Sequence, residues 1–377
     1  MRYFVNMKLK IVNVSMMVVY SGSLLMLLAA CRSYKDSIKS AQPVTQGQQE
    51  EVVGAPSDRE EEVVSSTPSG DTGNSPSANS RPARKSTVTV NDLATFQADA
   101  FDTKDELYQR VQTMVDFGPR HTGSRAHNNY MDHVEEWMKS VPLEGISRDT
   151  VNITGANWMS RGGALPKTTQ HIYGHLPGRD GSDKAIILGV HFDGQNSIQE
   201  NGVPVLMAIT DYLSRMPREK RPYTYYVVFP SGHMAEIQGG IEALSWANLH
   251  RDIIKRTVAV VSPEHMGVID EGQVADYNVT VSSSNVKAMQ GLRSYVEGLR
   301  GEMDIQKMSV RALGIGSGLA WSVPILGSGK PVFSGLSTHK PLTTLFNPDV
   351  GMEIIDKDLL YKHALFFLKG TLHMSSR

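Results

Sequence analysis

Three apolar runs in this sequence end in residues that can bind a metal or move a proton. They are Gly189-Val190-His191-Phe192-Asp193, Phe229-Pro230-Ser231-Gly232-His233-Met234-Ala235-Glu236 and Val260-Val261-Ser262-Pro263-Glu264-His265-Met266. Neutral imidazole with carboxylate is a ligand set that suits zinc. A carboxylate two residues from a ligating His, as Asp193 is from His191, can orient the imidazole ring. Any one such His alone reads more simply as a surface or capping residue. Three such ends in one chain favour a site.

The surrounding pattern supplies the scaffold. Residues 105–117 carry Leu107, Val111, Met114 and Val115 at near-helical spacing. The turn Gly118-Pro119-Arg120-His121-Thr122-Gly123-Ser124 stops that helix. Residues 125–140 read as a second helix. Residues 169–175, 184–190, 223–229 and 258–261 read as strands. Ala185-Ile186-Ile187-Leu188-Gly189-Val190 is apolar throughout, as a strand covered on both faces requires. Residues 203–215, 237–249, 285–299 and 359–368 read as helices. Strands separated by helices predict a three-layer α/β sandwich, with a mostly parallel central sheet and helices on both faces. In such sheets, sites form at the carboxyl ends of the strands, where the three polar clusters fall.

These pieces resemble the co-catalytic zinc aminopeptidases, peptidase family M twenty-eight, over about residues 105–368. Leu188-Gly189-Val190-His191-Phe192-Asp193 is similar to the family's His-x-Asp motif. Phe117-Gly118-Pro119-Arg120-His121-Thr122-Gly123-Ser124 resembles the segment after its first helix. Tyr173-Gly174-His175-Leu176-Pro177-Gly178 resembles the strand before its metal strand. Gly239-Gly240 and Gly329-Lys330-Pro331-Val332 resemble later family features.

The resemblance implies two zinc ions sharing a bridging Asp. One is held also by the motif His and a later Asp. The other is held by the second Glu of a Glu-Glu pair and a C-terminal His, and the first Glu of the pair is the base. Carried over, His191 is the first ligand and Asp193 its orienting carboxylate. The bridging position falls near Glu200-Asn201, and the Glu-Glu pair falls on His233-Met234. The later Asp falls on Glu264 or His265. The C-terminal His falls near Thr343-Thr344, with His339 upstream as a substitute. Methionine is a poor zinc ligand, so the second site departs from the pattern. The expected metal ligands are His191, Glu200, Glu264 and His265, holding one zinc or two. His233, an imidazole able to take a proton at neutral pH, replaces the base, with Asp193 behind the metal and Glu236 as a second candidate.

The first thirty residues give an address. Arg2, Lys8 and Lys10 precede an apolar run ending in Leu28-Ala29-Ala30-Cys31. Such a start is a secretory signal, and its end resembles a bacterial lipobox, with Cys31 as the lipidated residue. A plain transmembrane anchor is the competing reading, since about twenty residues can span a bilayer. Cys31 is the sole cysteine in 377 residues; once acylated, it leaves no thiol for a disulfide or a nucleophile. Arg32 stands where an Asp retains some lipoproteins in the inner membrane, so the outer membrane is favoured. Residues 32–92 are rich in Gly, Pro, Ser, Gln and Glu and read as a disordered tether. Residues 93–377 form one α/β domain.

Other motifs carry less. Ser231 lacks the Gly-x-Ser-x-Gly elbow of nucleophilic serines. Gly314-Ile315-Gly316-Ser317-Gly318 has no strand–turn–helix nucleotide context and reads as a loop beside Trp321. A net charge of −1 gives no sign of nucleic acid as a partner. The expectation is a membrane-anchored metallo-aminopeptidase or amidohydrolase acting on a peptide or amide. Two alternatives stand beside it. One is a catalytically silent relative binding a peptide or glycan in the cleft. The other is a one-zinc amidohydrolase or cyclase.

Overall fold

The computed structural model describes residues 85–88, 96–153, 167–233, 241–283, 285–312, 330–338 and 347–376. The chain separates into two units, Met1–Asn79 and Ser80–Arg377. The first, which contains Cys31, lies outside the described residues.

In chain order the second unit comprises α1 (Lys104–Asp116), α2 (Arg125–Ser140), β1 (Glu144–Asn152), β2 (Thr168–Leu176), β3 (Ala185–Gly189), α3 (Gly202–Ser214), β4 (Thr224–Phe229), α4 (Ile241–Leu249), α5 (Arg251–Arg256) and β5 (Thr257–Pro263). There follow β6 (Ile269–Asp270), β7 (Gln273–Val274), β8 (Asp276–Ser282), α6 (Val286–Glu302), β9 (Met308–Ala312), β10 (Val332–Thr338) and α7 (Lys357–Ser375). Eight strands make one sheet in the order β1-β2-β4-β3-β5-β10-β8-β9. The β4–β3–β5–β10 centre and the β8–β9 pair are parallel. The β1–β2, β2–β4 and β10–β8 pairs are antiparallel. This is the expected α/β sandwich, more mixed at its edges than the sequence pattern suggests.

Local chemistry sets the helices. Thr103 and Glu106 form a reciprocal capping box at the start of α1. The Ser124 hydroxyl caps α2 by accepting from His127 N. Helix α3 is buried almost all round, as its uniformly apolar sequence requires, and Pro204 falls in its first turn, where a missing N–H is tolerated.

The two faces of the sheet carry separate apolar layers. Leu188, Val261 and Phe333 pack with residues of α1, α3, α6 and α7. Ile187, Val228, Val260 and Val332 pack with Ala243 and Trp246 of α4 and Ile253 of α5. Burial on both faces explains the continuous apolar runs of β3, β4 and β5.

The sequence pattern passes over β1, β8 and β9. Strand β1 is an edge strand with a largely polar, half-exposed sequence, so no apolar run marks it. Helix α7 extends beyond the expected 359–368 because buried Thr371, Leu372 and Met374 continue its inner face. The stretch read as tether also differs at its end: Val88 is buried and donates to Arg215 O at 3.1 Å, while Lys85 pairs with Asp102 at 2.6 Å. Among the described residues no helix is long and apolar enough to cross a membrane.

Candidate metal centre

The carboxyl ends of β3, β4 and β5 converge. His191, Glu264 and His265, all buried, bring one potential ligand atom each to within 4.8 Å of one another. His191 Nδ1 lies 2.9 Å from Asp193 O, so that nitrogen carries the hydrogen and donates it. The Nε2 lone pair is thereby turned inward. No hydrogen-bond partner meets it among the described residues, and the Glu264 carboxylate stands 3.9 Å away. A buried imidazole with its acceptor nitrogen free beside a carboxylate and a second His is what a zinc ion requires, and His₂Glu with an open position is a ligand set of single-zinc peptidases.

The ring of His191 is oriented by the Asp193 backbone carbonyl, whereas the sequence pattern assigns this to the side chain. The Asp193 carboxylate has other work. Its Oδ1 accepts Gly232 N and His233 N, both at 3.2 Å, and its Oδ2 accepts the Thr122 hydroxyl. Gly232 has φ +124°, a conformation open to glycine, which turns two successive N–H groups toward one oxygen. Asp193 thus ties the end of β4 to the end of β3.

That tie places His233. Its ring stacks on His191 with centroids 4.1 Å apart and planes 16° apart. Its Nδ1 lies 3.1 Å from Glu242 Oε1, on the first turn of α4. A carboxylate at Nδ1 fixes the tautomer and leaves Nε2 for proton transfer. Glu242 is missed by sequence reasoning, because nothing in the spacing shows that α4 returns to the strand end.

The cluster is electrostatically coupled. Burial pushes the His191 imidazolium down to about 4, helped by His233. For His233 burial acts in the same sense, but Glu242, Asp193 and Glu264 overcome it and raise the pKa to about 9. Burial raises Glu264 to about 8, against His233 and the Ser262 hydroxyl. Burial also opposes the charge on Asp193, yet His127, His191 and His233 hold its pKa down. Within the group positive charge settles on His233, between Glu242, Asp193 and Glu264, and is driven off His191.

His265 adopts φ +52°, uncommon for a residue with a Cβ. Neighbours hold it there. Asn201 grips the backbone of Met266 with two hydrogen bonds of 2.9 Å. His363 Nδ1 accepts Gly267 N at 3.1 Å, and Tyr277 donates to Glu264 O at 3.0 Å. Such held strain clusters at functional sites.

Glu200, expected as a ligand, is not brought into this group. It pairs with Arg120, and both side chains are fully buried. Arg120 also donates to Met114 O and Asn196 O, each at 2.8 Å. The turn before α2 is therefore a staple: Arg120 exchanges backbone hydrogen bonds with Gly194 while Thr122 holds Asp193. Glu236 lies outside the described residues, as do Met234, His339, the Thr343-Thr344 pair, Gly239-Gly240, the Gly314–Gly318 loop and Trp321.

No protein-family model matches the chain, and no curated protein does. Solved structures do. Porphyromonas gingivalis glutaminyl cyclase is 20% identical over 74% of this chain and 98% of its own, with TM-score 0.55. A zinc aminopeptidase from Bacillus subtilis is 10% identical over 72% and 95%, with TM-score 0.57. A Zn-dependent exopeptidase from Parabacteroides distasonis is 14% identical over 73% and 98%, with TM-score 0.54. The fold is one shared by zinc exopeptidases and glutaminyl cyclases.

Proposed function

We propose that this chain is an exported, lipid-anchored hydrolase that holds one zinc with His191, Glu264 and His265 and cleaves amide bonds at the amino end of peptides. The observation that carries the reading is the His191 Nε2 lone pair, buried and without a hydrogen-bond partner among the described residues, facing Glu264. When bound, zinc supplies Lewis acidity toward a carbonyl and toward water. The chain's own residues do the rest. Asp193 O orients His191. Asp193 Oδ1 fixes the Gly232–His233 backbone. Glu242 holds the His233 ring at Nδ1 and raises its pKa to about 9, so that Nε2, in the neutral ring present as pH rises toward that value, takes the proton released on attack and, as the imidazolium, returns it to the leaving amine. Cys31 carries the anchor, in the outer membrane.

The test is elemental mass spectrometry of the full chain purified in detergent, beside His191→Ala. One zinc per chain, lost in the variant, supports the reading. Aminoacyl amides then follow as substrates, with glutaminyl peptides in the same panel because glutaminyl cyclases share the fold. Absence of zinc overturns the hydrolase and leaves a peptide- or glycan-binding protein on a peptidase scaffold. Labelling of the chain by radioactive palmitate, abolished by Cys31→Ala, tests the anchor.

A further inference from the structure

Three successive backbone N–H groups at the end of β4 are each held by a side chain. Gly232 N and His233 N donate to Asp193 Oδ1, and Ser231 N donates to His171 Nδ1 at 3.1 Å. His171 comes from β2. The register pair Ile172 and Phe229 sets it beside the residue that follows β4. Side chains alternate along a strand, so His171 shares the face of Tyr173, which meets Trp246 of α4 edge-on at 5.7 Å. His171 is fully buried. Because its Nδ1 accepts, its Nε2 carries the hydrogen and directs it to the Ser245 hydroxyl of α4, 3.2 Å away. Burial pushes its pKa down to about 4, so at neutral pH the ring is uncharged and both roles are fixed.

Ser231 stands two residues before His233, and Ser245 lies three residues after Glu242 on the same helix face. One rigid imidazole therefore bridges the two segments that carry His233 and Glu242. The contact of His233 Nδ1 with Glu242 Oε1 at 3.1 Å is one rung between the end of β4 and α4. Ser231–His171–Ser245 is a second. With one rung α4 can pivot about the contact; with two, its separation and angle are set. The anchored end is itself braced: Thr169 donates to the Ser231 hydroxyl at 3.0 Å, and that hydroxyl donates to His127 Nε2 at 2.6 Å. Packing alone does not call for His171. Tyr173 and Trp246 already join α4 to the sheet, and an aliphatic side chain would fill the place without desolvating an imidazole.

We infer that His171 is a positioning residue, which sets the separation of His233 and Glu242 and so the pairing through which Glu242 holds the His233 ring for proton transfer. It acts through Ser231 and Ser245. Its catalytic consequence rests on the hydrolase reading, whereas the spacing itself is read without activity.

The test uses the full chain with added zinc, labelled with ¹⁵N-histidine. The downfield Nδ1–H proton of His233 is identified by its absence from His233→Gln. Ser245 is half-buried, and Ser245→Ala removes the second rung at its α4 end while leaving the core intact. That variant is expected to lose or broaden the proton signal, and its kcat for an aminoacyl amide is expected to fall about tenfold or more, the effect of a misplaced group, with KM and zinc content unchanged. Ser245→Thr keeps the hydroxyl and is expected to restore both. His171→Asn keeps an acceptor for Ser231 N without reaching Ser245, and is expected to behave as Ser245→Ala does. The two changes together are expected to do no more than either alone, since they break one bridge. A sharp His233 signal in Ser245→Ala, no such signal in the unaltered chain, or a loss that threonine does not restore overturns the inference. If the unaltered chain hydrolyses no amide, the hydrolase reading falls, and the proton signal alone still decides the positioning.

Discussion

Arg120 and Glu200 form an ion pair with neither side chain exposed to solvent. Eighty positions separate them, and the pair joins the turn before α2 to the loop that follows β3. Arg120 also donates to backbone carbonyls of α1, of its own turn and of the loop after β3. Removing one member of such a pair strands a buried charge. Glu200→Ala is therefore expected to destabilise the fold by about 3–5 kcal/mol, read as a lower urea midpoint at unchanged slope. Glu200→Gln keeps the shape and is expected to retain the zinc content of the unaltered chain. Loss of zinc in a folded Glu200→Gln protein would restore Glu200 as a ligand.

The same pair shows how far the sequence is legible. The apolar runs of β3, β4 and β5 declare a doubly covered sheet, and their polar endings mark where chemistry gathers. The type of each strand-end residue is visible, but its direction is not. Glu200 and Glu264 are both carboxylates following the metal-strand pattern, and only packing sends one to Arg120 and the other to His191. Asp193 is legible as an orienting group, yet it orients through its carbonyl and uses its carboxylate on the β4 end. Glu242 is invisible because a helix start and a strand end meet only in three dimensions. Edge strand β1 is unmarked because half-exposed polar residues leave no period-2 apolar face.

Glu242 makes a prediction of its own. Glu242→Gln preserves an oxygen near His233 Nδ1 but removes the charge that fixes the ring's tautomer and stabilises its protonated form. Zinc content is expected to stay at the level of the unaltered chain. Hydrolysis of a cleaved aminoacyl amide is expected to fall by about a hundredfold in kcat, within the range of general acid–base catalysis, with KM little changed. A variant of full activity would remove His233 from the reaction.

Gly202 links the fold to the centre by close approach. It opens α3, and a Cβ placed on it would overlap the Pro263 carbonyl, one residue before Glu264. That neighbour is backbone and cannot swing away. Gly202→Ala must push α3 from β5, with a cost of about 1–3 kcal/mol or more, and the displacement falls on the segment that carries two of the three proposed ligands. The expected result is a lower thermal midpoint together with weaker zinc retention during dialysis against a mild chelator. Gly298, exposed in α6 with nothing near its missing Cβ, is the control: Gly298→Ala is expected to hold or raise stability, since alanine is the better helix former.

His363 lies one layer beneath the centre, and its titration is a matter of stability. It is buried, stacks on Tyr277 with centroids 4.1 Å apart, and accepts Gly267 N at Nδ1. Burial pushes its pKa down to about 3, whereas in the unfolded chain it titrates near 6.5. As pH falls, the unfolded chain therefore takes up the proton first. The group's contribution is complete above about pH 6.5 and is lost progressively toward pH 3, amounting to about 2 kcal/mol of lost stability at pH 5. His363→Asn keeps an acceptor for Gly267 and does not titrate. Urea unfolding of both proteins at pH 7.5 and pH 5.0 checks this. The unaltered chain is expected to lose about 2 kcal/mol more than the variant between the two. Equal losses would mean that His363 is already protonated in the folded state at pH 5, and that a carboxylate or water reaches its Nε2.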